Sequence, residues 1–143
     1  MGSEVDTVQA IQHVMTRKFV QYGQLTLYHA LYEAGDDGAS SAELAEEIRD
    51  KDTVSLRGVF GALGNRINQT ERFREKRPGI KLFFRVGRVN GEQHYWMLPE
   101  TRVAIEGLPC LHKAVQWPLE EIRKKYSEEW WANPASQREQ LGL

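Results

Sequence analysis

The stretch TVSLRGVFGALGNRIN, from Thr53 to Asn68, decides the fold because it has the pattern of a helix with two dissimilar faces. One arc has the i, i+3, i+4, i+7 spacing of a face that packs on a core, and its members are Leu56, Val59, Phe60, Leu63 and Ile67. The opposite arc has little bulk and consists of Arg57, Gly58, Gly61, Gly64, Asn65 and Asn68. Three glycines cost about 2.5 to 3 kcal/mol of helix propensity relative to alanine, so we expect something to approach this arc closely.

Three helices are predicted before this stretch. The first runs from a cap at Asp6 to about Tyr22, and the second follows the interruption at Gly23 and ends at Gly35. The third spans about Ser41 to Arg49, because Ser40 and Glu43 have the spacing of a capping box. Asp52 or Thr53 is then expected to cap the glycine-bearing helix.

A β-hairpin is predicted after a basic loop. A strand pattern covers Ile80 to Val89, Asn90-Gly91 is typical of a type I′ turn, and the return strand ends at Leu98. Of the adjacent aromatic pairs, Phe83-Phe84 and Tyr95-Trp96, one member each is expected to be core. A short helix near Thr101 to Gly107 and a last helix opened by Pro118 follow, and the tail after Trp131 is expected to be loose.

Charge is strongly segregated although the net charge is only −1. Residues 1–56 carry four Lys/Arg against ten Asp/Glu, residues 57–88 carry nine against two, and residues 89–143 carry six against eight. The middle block therefore has a balance of +7, which favours local binding of a polyanion. The alternative is an ordinary solvated loop.

Composition excludes several classes of protein. The single cysteine, Cys110, cannot form an internal disulfide, and no run of 18 apolar residues predicts a membrane span, so we expect a cytoplasmic protein. The four histidines are scattered, and no phosphate loop, nucleophile elbow or zinc-ligand pattern occurs. We therefore expect no enzyme, no metal and no cofactor.

The order of the predicted elements resembles the winged helix-turn-helix family. The residues that carry the resemblance are Ser40 to Ile48 as the first helix of the motif, Val54 to Asn68 as the second, and the Asn90-Gly91 hairpin as the wing. The implied fold is mainly α with one β-hairpin (α+β), a winged helix-turn-helix with flanking helices. Its parts would be an N-terminal helix (1–25), the winged domain (26–98) and a C-terminal helical extension (99–143).

The resemblance implies that the second helix, about 53–68, enters the major groove of duplex DNA. Arg57 would then meet guanine and Asn65 adenine, while the basic loop and wing, 70–91, would lie on the backbone. The implied DNA-binding residues are Ser55, Arg57, Gly58, Gly61, Asn65, Asn68, Arg72, Arg74, Lys76, Arg77, Lys81, Arg85 and Arg88. Alternatively, the glycines face another helix of the same chain or of a second copy.

The leading hypothesis is thus sequence-specific binding of double-stranded DNA by a homodimeric transcriptional regulator. The alternative is a winged-helix protein–protein interaction module within a larger DNA-processing or defence assembly, whose glycine face and basic loop dock an acidic protein partner.

Overall fold

The computed structural model describes residues 3–17, 19–48, 55–127 and 133–140. Within these ranges the chain is mainly helical, with one small antiparallel sheet. The elements in chain order are α1 (Ser3–Thr16), α2 (Tyr22–Ala34), β1 (Ala39–Ser40), α3 (Ser41–Ile48), α4 (Leu56–Asn68), β2 (Phe84–Val89), β3 (Glu92–Met97), α5 (Pro99–Glu106), α6 (Pro109–Val115), α7 (Leu119–Ser127) and α8 (Pro134–Gln140). The predicted class, mainly α with one β-hairpin, is confirmed.

The boundary between the first two helices differs from the prediction. α1 ends at Thr16 and α2 begins at Tyr22, so Gly23 lies inside α2 and does not interrupt a helix. Packing explains this glycine, because a Cβ at Gly23 would lie 2.5 Å from Val59 Cγ2 of α4. The missing side chain lets α2 approach α4 closely.

The capping box of α3 is confirmed atom by atom. The Ser40 backbone N–H donates to Glu43 Oε1 at 3.1 Å, and the Glu43 N–H donates to Ser40 Oγ at 3.1 Å. Hydrogen bonding from Ser40, first from its backbone N–H, favours the charged carboxylate, so the pKa of Glu43 lies below its ordinary value. The local sequence alone thus fixes where α3 begins.

The sheet has the order β1-β3-β2, with both pairs antiparallel. Asn90 (φ 53°) and Gly91 (φ 80°) form the turn between β2 and β3, as predicted, and both have the positive φ of a type I′ turn. β2 begins at Phe84 and not at Ile80, because residues 79–82 form a 3-10 turn. β1 was not predicted, since two residues carry no periodic signal.

One continuous hydrophobic core joins α1 to α7 and the sheet. Tyr95 is buried and Trp96 is half-buried on the other face of β3, as expected for adjacent strand residues. Phe83 and Phe84 are both fully buried, so the expectation of one core residue in that pair was wrong. Phe83 precedes the strand and is therefore not bound by its alternation.

The C-terminal region packs on the core to a greater extent than predicted. α6 was missed, and α8 lies where a loose tail was expected. The buried Gln137 of α8 accepts the Val20 N–H at 2.6 Å and donates to the Val20 carbonyl oxygen at 2.9 Å. The tryptophan expected on the last helix, Trp130, lies outside the described residues.

Candidate nucleic-acid interface

α4 begins one turn later than predicted. Ser55 is its N-cap, and Ser55 Oγ accepts the Gly58 N–H at 3.0 Å. The expected caps, Asp52 and Thr53, precede this residue and lie outside the described residues. The hydroxyl of Ser55 is therefore engaged in holding the helix start.

The apolar arc of α4 packs on the core as predicted. Val59, Leu63 and Ile67 are buried, and Leu56 and Phe60 are half-buried against the same core. Phe60 also stacks on Tyr95 of the sheet, with ring centroids 4.6 Å apart. The opposite arc of α4 must therefore point away from the core.

The centre of that opposite arc is open. Arg57, Gly58, Gly61 and Asn65 are all exposed, and a Cβ at Gly61 would meet no atom within 4 Å. The alternative that the glycines pack against another helix of this chain therefore fails at Gly61 within the part of the chain that is described. Packing against a second copy is still open.

The other edge of the arc is covered by the chain itself. Asn68 Oδ1 accepts the Gly79 N–H at 2.9 Å, and a Cβ at Gly64 would lie 3.9 Å from Ile80 Cγ2. Asn68, proposed from the sequence as a DNA contact, thus anchors the end of the basic loop to α4.

Sequence reasoning missed two members of the outward face, Ala62 and Gln69, which are both exposed. With these two residues the outward surface, called the α4 stripe, consists of Arg57, Gly58, Gly61, Ala62, Asn65 and the C-cap residue Gln69. Apart from Arg57, its members are small or uncharged. Periodicity could have included Ala62, because it follows Gly58 by four residues.

Arg66 does not belong to the basic surface. It is only 6% exposed, and its guanidinium donates to the carbonyl oxygens of Val14 (2.9 Å), Met15 (2.9 Å) and Phe19 (3.0 Å). Burial lowers the pKa of Arg66 from its ordinary value. The signal was in the sequence, since Arg66 follows Val59 by seven residues and so lies on the apolar arc.

Eight exposed cations of residues 57–88 are Arg57, Arg72, Arg74, Lys76, Arg77, Lys81, Arg85 and Arg88. None of them forms an ion pair with a described residue. Two of them donate a hydrogen bond to a nearby backbone carbonyl oxygen, Arg74 Nε to that of Gln69 at 3.3 Å and Arg88 Nη1 to that of Gly91 at 2.9 Å. The described residues therefore leave the positive charge of this block without an ion pair.

The basic loop is held next to α4 at both of its ends. Its 3-10 turn at Glu71–Phe73 directly follows the helix, and its last residues return to α4 through Gly79 and Ile80. Arg77 has a positive φ of 46°, a conformation that is uncommon outside glycine and asparagine. The loop that carries these cations is therefore anchored at the C-terminal end of α4.

Arg85 and Arg88 lie on opposite faces of the hairpin. Arg88 shares a face with Phe84 and Val86, the side that packs towards α4. Arg85 is paired with Trp96 on the outer face, where its guanidinium carbon lies 4.1 Å from the indole centroid. The structure therefore brings Arg88, but not Arg85, to the same side as α4.

A cleft of about 350 Å³ borders the α4 stripe. Gly58 and Ala62 line it from α4, and Gly23 and Gln24 line it from the first turn of α2. No carboxylate occurs among its described lining residues. An extended anion lying on α4 would therefore meet no acidic group among the described residues that line this cleft.

Other kinds of site find little support in the described residues. They contain no group of three or more His, Cys, Asp or Glu side chains that could hold a metal ion. No helix among them has the length and apolar character needed to cross a membrane.

Comparison of the chain with protein-family models, with curated proteins and with solved structures gave no match.

Proposed function

We propose that this chain is a winged-helix domain that binds duplex DNA, with α4 in the major groove and the basic loop on the backbone. The order α2-β1-α3-α4-β2-β3 and the sheet order β1-β3-β2 support the winged-helix assignment. In this arrangement α3 and α4 are the two helices of the motif, and the Asn90-Gly91 hairpin is the wing.

The observation that carries the proposal is the exposed α4 stripe beside cations that have no ion pair in the described chain. A helix can approach base edges closely if its outward face carries little bulk, and it can contact them only if that face is open. Gly58, Gly61 and Ala62 meet the first condition, and their exposure meets the second. On this face Arg57 can form paired hydrogen bonds with guanine, and Asn65 can form them with adenine.

The loop cations supply the electrostatic part of the binding. Arg72, Arg74, Lys76, Arg77 and Lys81 are exposed on the loop that follows α4. Each phosphate that they neutralise releases counterions, which makes the affinity strongly dependent on salt. We further propose that the protein acts as a homodimeric regulator of transcription, which light scattering of the free and DNA-bound protein tests.

Salt titration on a random duplex tests the proposal. The affinity should fall steeply between about 50 and 200 mM salt, with a slope of about −0.9 for each phosphate contacted. Lys113, an exposed cation of α6, offers a charge-matched control, and Lys113→Ala should leave the affinity unchanged. No binding to duplex at low salt would refute DNA binding, and capture of an acidic polypeptide instead would favour an interaction module.

Base reading requires a second measurement. Arg57→Ala should abolish the preference among sequences selected from a random pool, whereas Arg88→Ala should weaken all sequences alike. A uniform loss of affinity in both variants would show that Arg57 contacts only phosphate.

A further inference from the structure

The outer face of the hairpin carries a cluster of three side chains, Arg85, Trp96 and His94. The Arg85 guanidinium carbon lies 4.1 Å from the centroid of the Trp96 ring. On the same face the His94 ring lies 4.6 Å from Trp96, centroid to centroid. His94 Nε2 is in turn 2.9 Å from the Asp37 carbonyl oxygen, so a hydrogen bond links this cluster to the turn before β1.

Two glycines leave room for the indole of Trp96. A Cβ at Gly38 would lie 2.6 Å from Trp96 Cδ1, and a Cβ at Gly87 would lie 3.3 Å from Trp96 Cζ3. Gly38 also has a positive φ of 63°, which favours glycine at this position. The indole of Trp96, on the central strand β3, therefore lies between the backbone at Gly38, just before β1, and the backbone at Gly87 in β2.

Arg85 is exposed, and its guanidinium forms no hydrogen bond or ion pair with any described residue. Stacking on an indole uses the face of the guanidinium and leaves the N–H edge to bind a phosphate or carboxylate in a bidentate manner. A side chain held in this way loses less rotamer entropy on binding than a mobile surface arginine. The arrangement is thus suited to a preformed oxyanion contact.

We propose that Trp96 is a positioning residue that holds Arg85 ready for a phosphate group of the DNA backbone. The inference rests on the proposed function, because the excess of cations over residues 70–89 favours a polyanion over a single carboxylate. Since Arg85 and Arg88 lie on opposite faces, this phosphate is a different one from any that Arg88 meets. The hairpin therefore contacts the backbone with both faces.

A double-mutant cycle on duplex affinity, measured across a salt series, tests the pairing. Arg85→Ala should reduce the magnitude of the salt slope by about 0.9, the value for one phosphate contact. Trp96→Leu should weaken binding about two- to fivefold with the slope unchanged, because the charge remains while the stacking is lost. The double variant should bind like Arg85→Ala alone, and Trp96→Tyr should restore most of the affinity.

A matched control is Arg102 of α5, which is stacked on Tyr32 at 4.2 Å but has a hydrogen bond to the Tyr32 carbonyl oxygen at 2.8 Å. Arg102→Ala should leave the affinity and the salt slope unchanged.

Thermal melting of each variant separates unfolding from loss of contact, and Trp96→Tyr serves if Trp96→Leu does not fold. Independent, multiplicative effects of Arg85→Ala and Trp96→Leu would overturn the inference, as would an Arg85→Ala variant that binds like the unmodified protein. Both results leave DNA binding standing if Arg57→Ala weakens it, whereas absence of duplex binding by the unmodified protein overturns both proposals.

Discussion

Arg66 of α4 donates from Nε to the carbonyl oxygen of Val14 at 2.9 Å, across 52 residues of sequence. The guanidinium also donates to the carbonyl oxygens of Met15 and Phe19, so it satisfies two carbonyl groups in the last turn of α1, at Val14 and Met15, and one carbonyl group beyond the end of that helix. A cation at this end also interacts favourably with the helix dipole. The interaction fixes α1 to the helix that is proposed to read DNA.

Arg66→Ala should therefore lower the free energy of unfolding by about 3 kcal/mol, because buried carbonyl groups lose a charged donor. Arg66→Lys keeps the charge but lacks the planar fork, so it should recover only part of this loss. Urea denaturation measures both, and Arg57→Ala, at an exposed position, is the control that should leave stability unchanged. An Arg66→Ala variant that unfolds like the unmodified protein but binds DNA less tightly would show that Arg66 is a contact after all.

Tyr28 should make the free energy of unfolding depend on pH in alkaline solution. It is fully buried, its hydroxyl has no hydrogen-bond partner among the described residues, and burial raises its pKa to about 12. Because the folded pKa lies above the ordinary value of 10.0, the neutral form stabilises the fold below pH 10, and this contribution is lost as the pH rises through 12. Tyr28→Phe should be nearly neutral at pH 7, since no hydrogen bond is removed.

The measurement for Tyr28 is the difference in unfolding free energy between the two proteins at several pH values. Relative to Tyr28→Phe, the unmodified protein should lose stability only above pH 10. A constant difference between pH 8 and pH 12 would contradict the burial of an ionisable hydroxyl at this position.

The capping box of α3 should make the free energy of unfolding depend on pH in acidic solution. The hydrogen bonds from Ser40 lower the pKa of Glu43, so their contribution to stability is present above the ordinary value of 4.5 and is lost as the pH falls through the folded pKa. Ser40→Ala should cost about 1 kcal/mol at pH 7, since it removes an N-cap. Glu43→Gln can still accept the Ser40 N–H but does not titrate, and its unfolding free energy should depend less on pH below 5. Equal acid sensitivity of Glu43→Gln and the unmodified protein would rule out this contribution.

Local signals in the sequence were sufficient for several parts of the fold. The Ser40–Glu43 box, the Asn90-Gly91 turn and the apolar arc of α4 depend on neighbouring residues, and the structure confirms them. Long-range contacts decided what the sequence did not show. Gly23 is explained only by Val59, and the role of Asn68 only by Gly79.

The geometry of the candidate site followed only in part from the sequence. Charge counting identified the basic block, but it gave Arg66 the same weight as the exposed cations, because a count contains no information on burial. It also treated Arg85 and Arg88 as one group, although three residues along a strand reverse the face. The openness of the α4 stripe depends on what the rest of the chain leaves uncovered, which no local pattern encodes.

Substitutions at Gly61 should affect stability and DNA binding in opposite directions. Gly61→Ala should raise the free energy of unfolding by about 1 kcal/mol, because alanine is the better helix former and its Cβ would meet nothing within 4 Å. In contrast, Gly23→Ala should destabilise the protein, because its Cβ would clash with Val59. If the α4 stripe lies against DNA, a bulkier Gly61→Gln should gain stability yet weaken duplex binding, since the added side chain obstructs the close approach of the helix. Denaturation and anisotropy titrations on the same samples measure the two effects, and unchanged affinity of Gly61→Gln would place the DNA elsewhere on the protein.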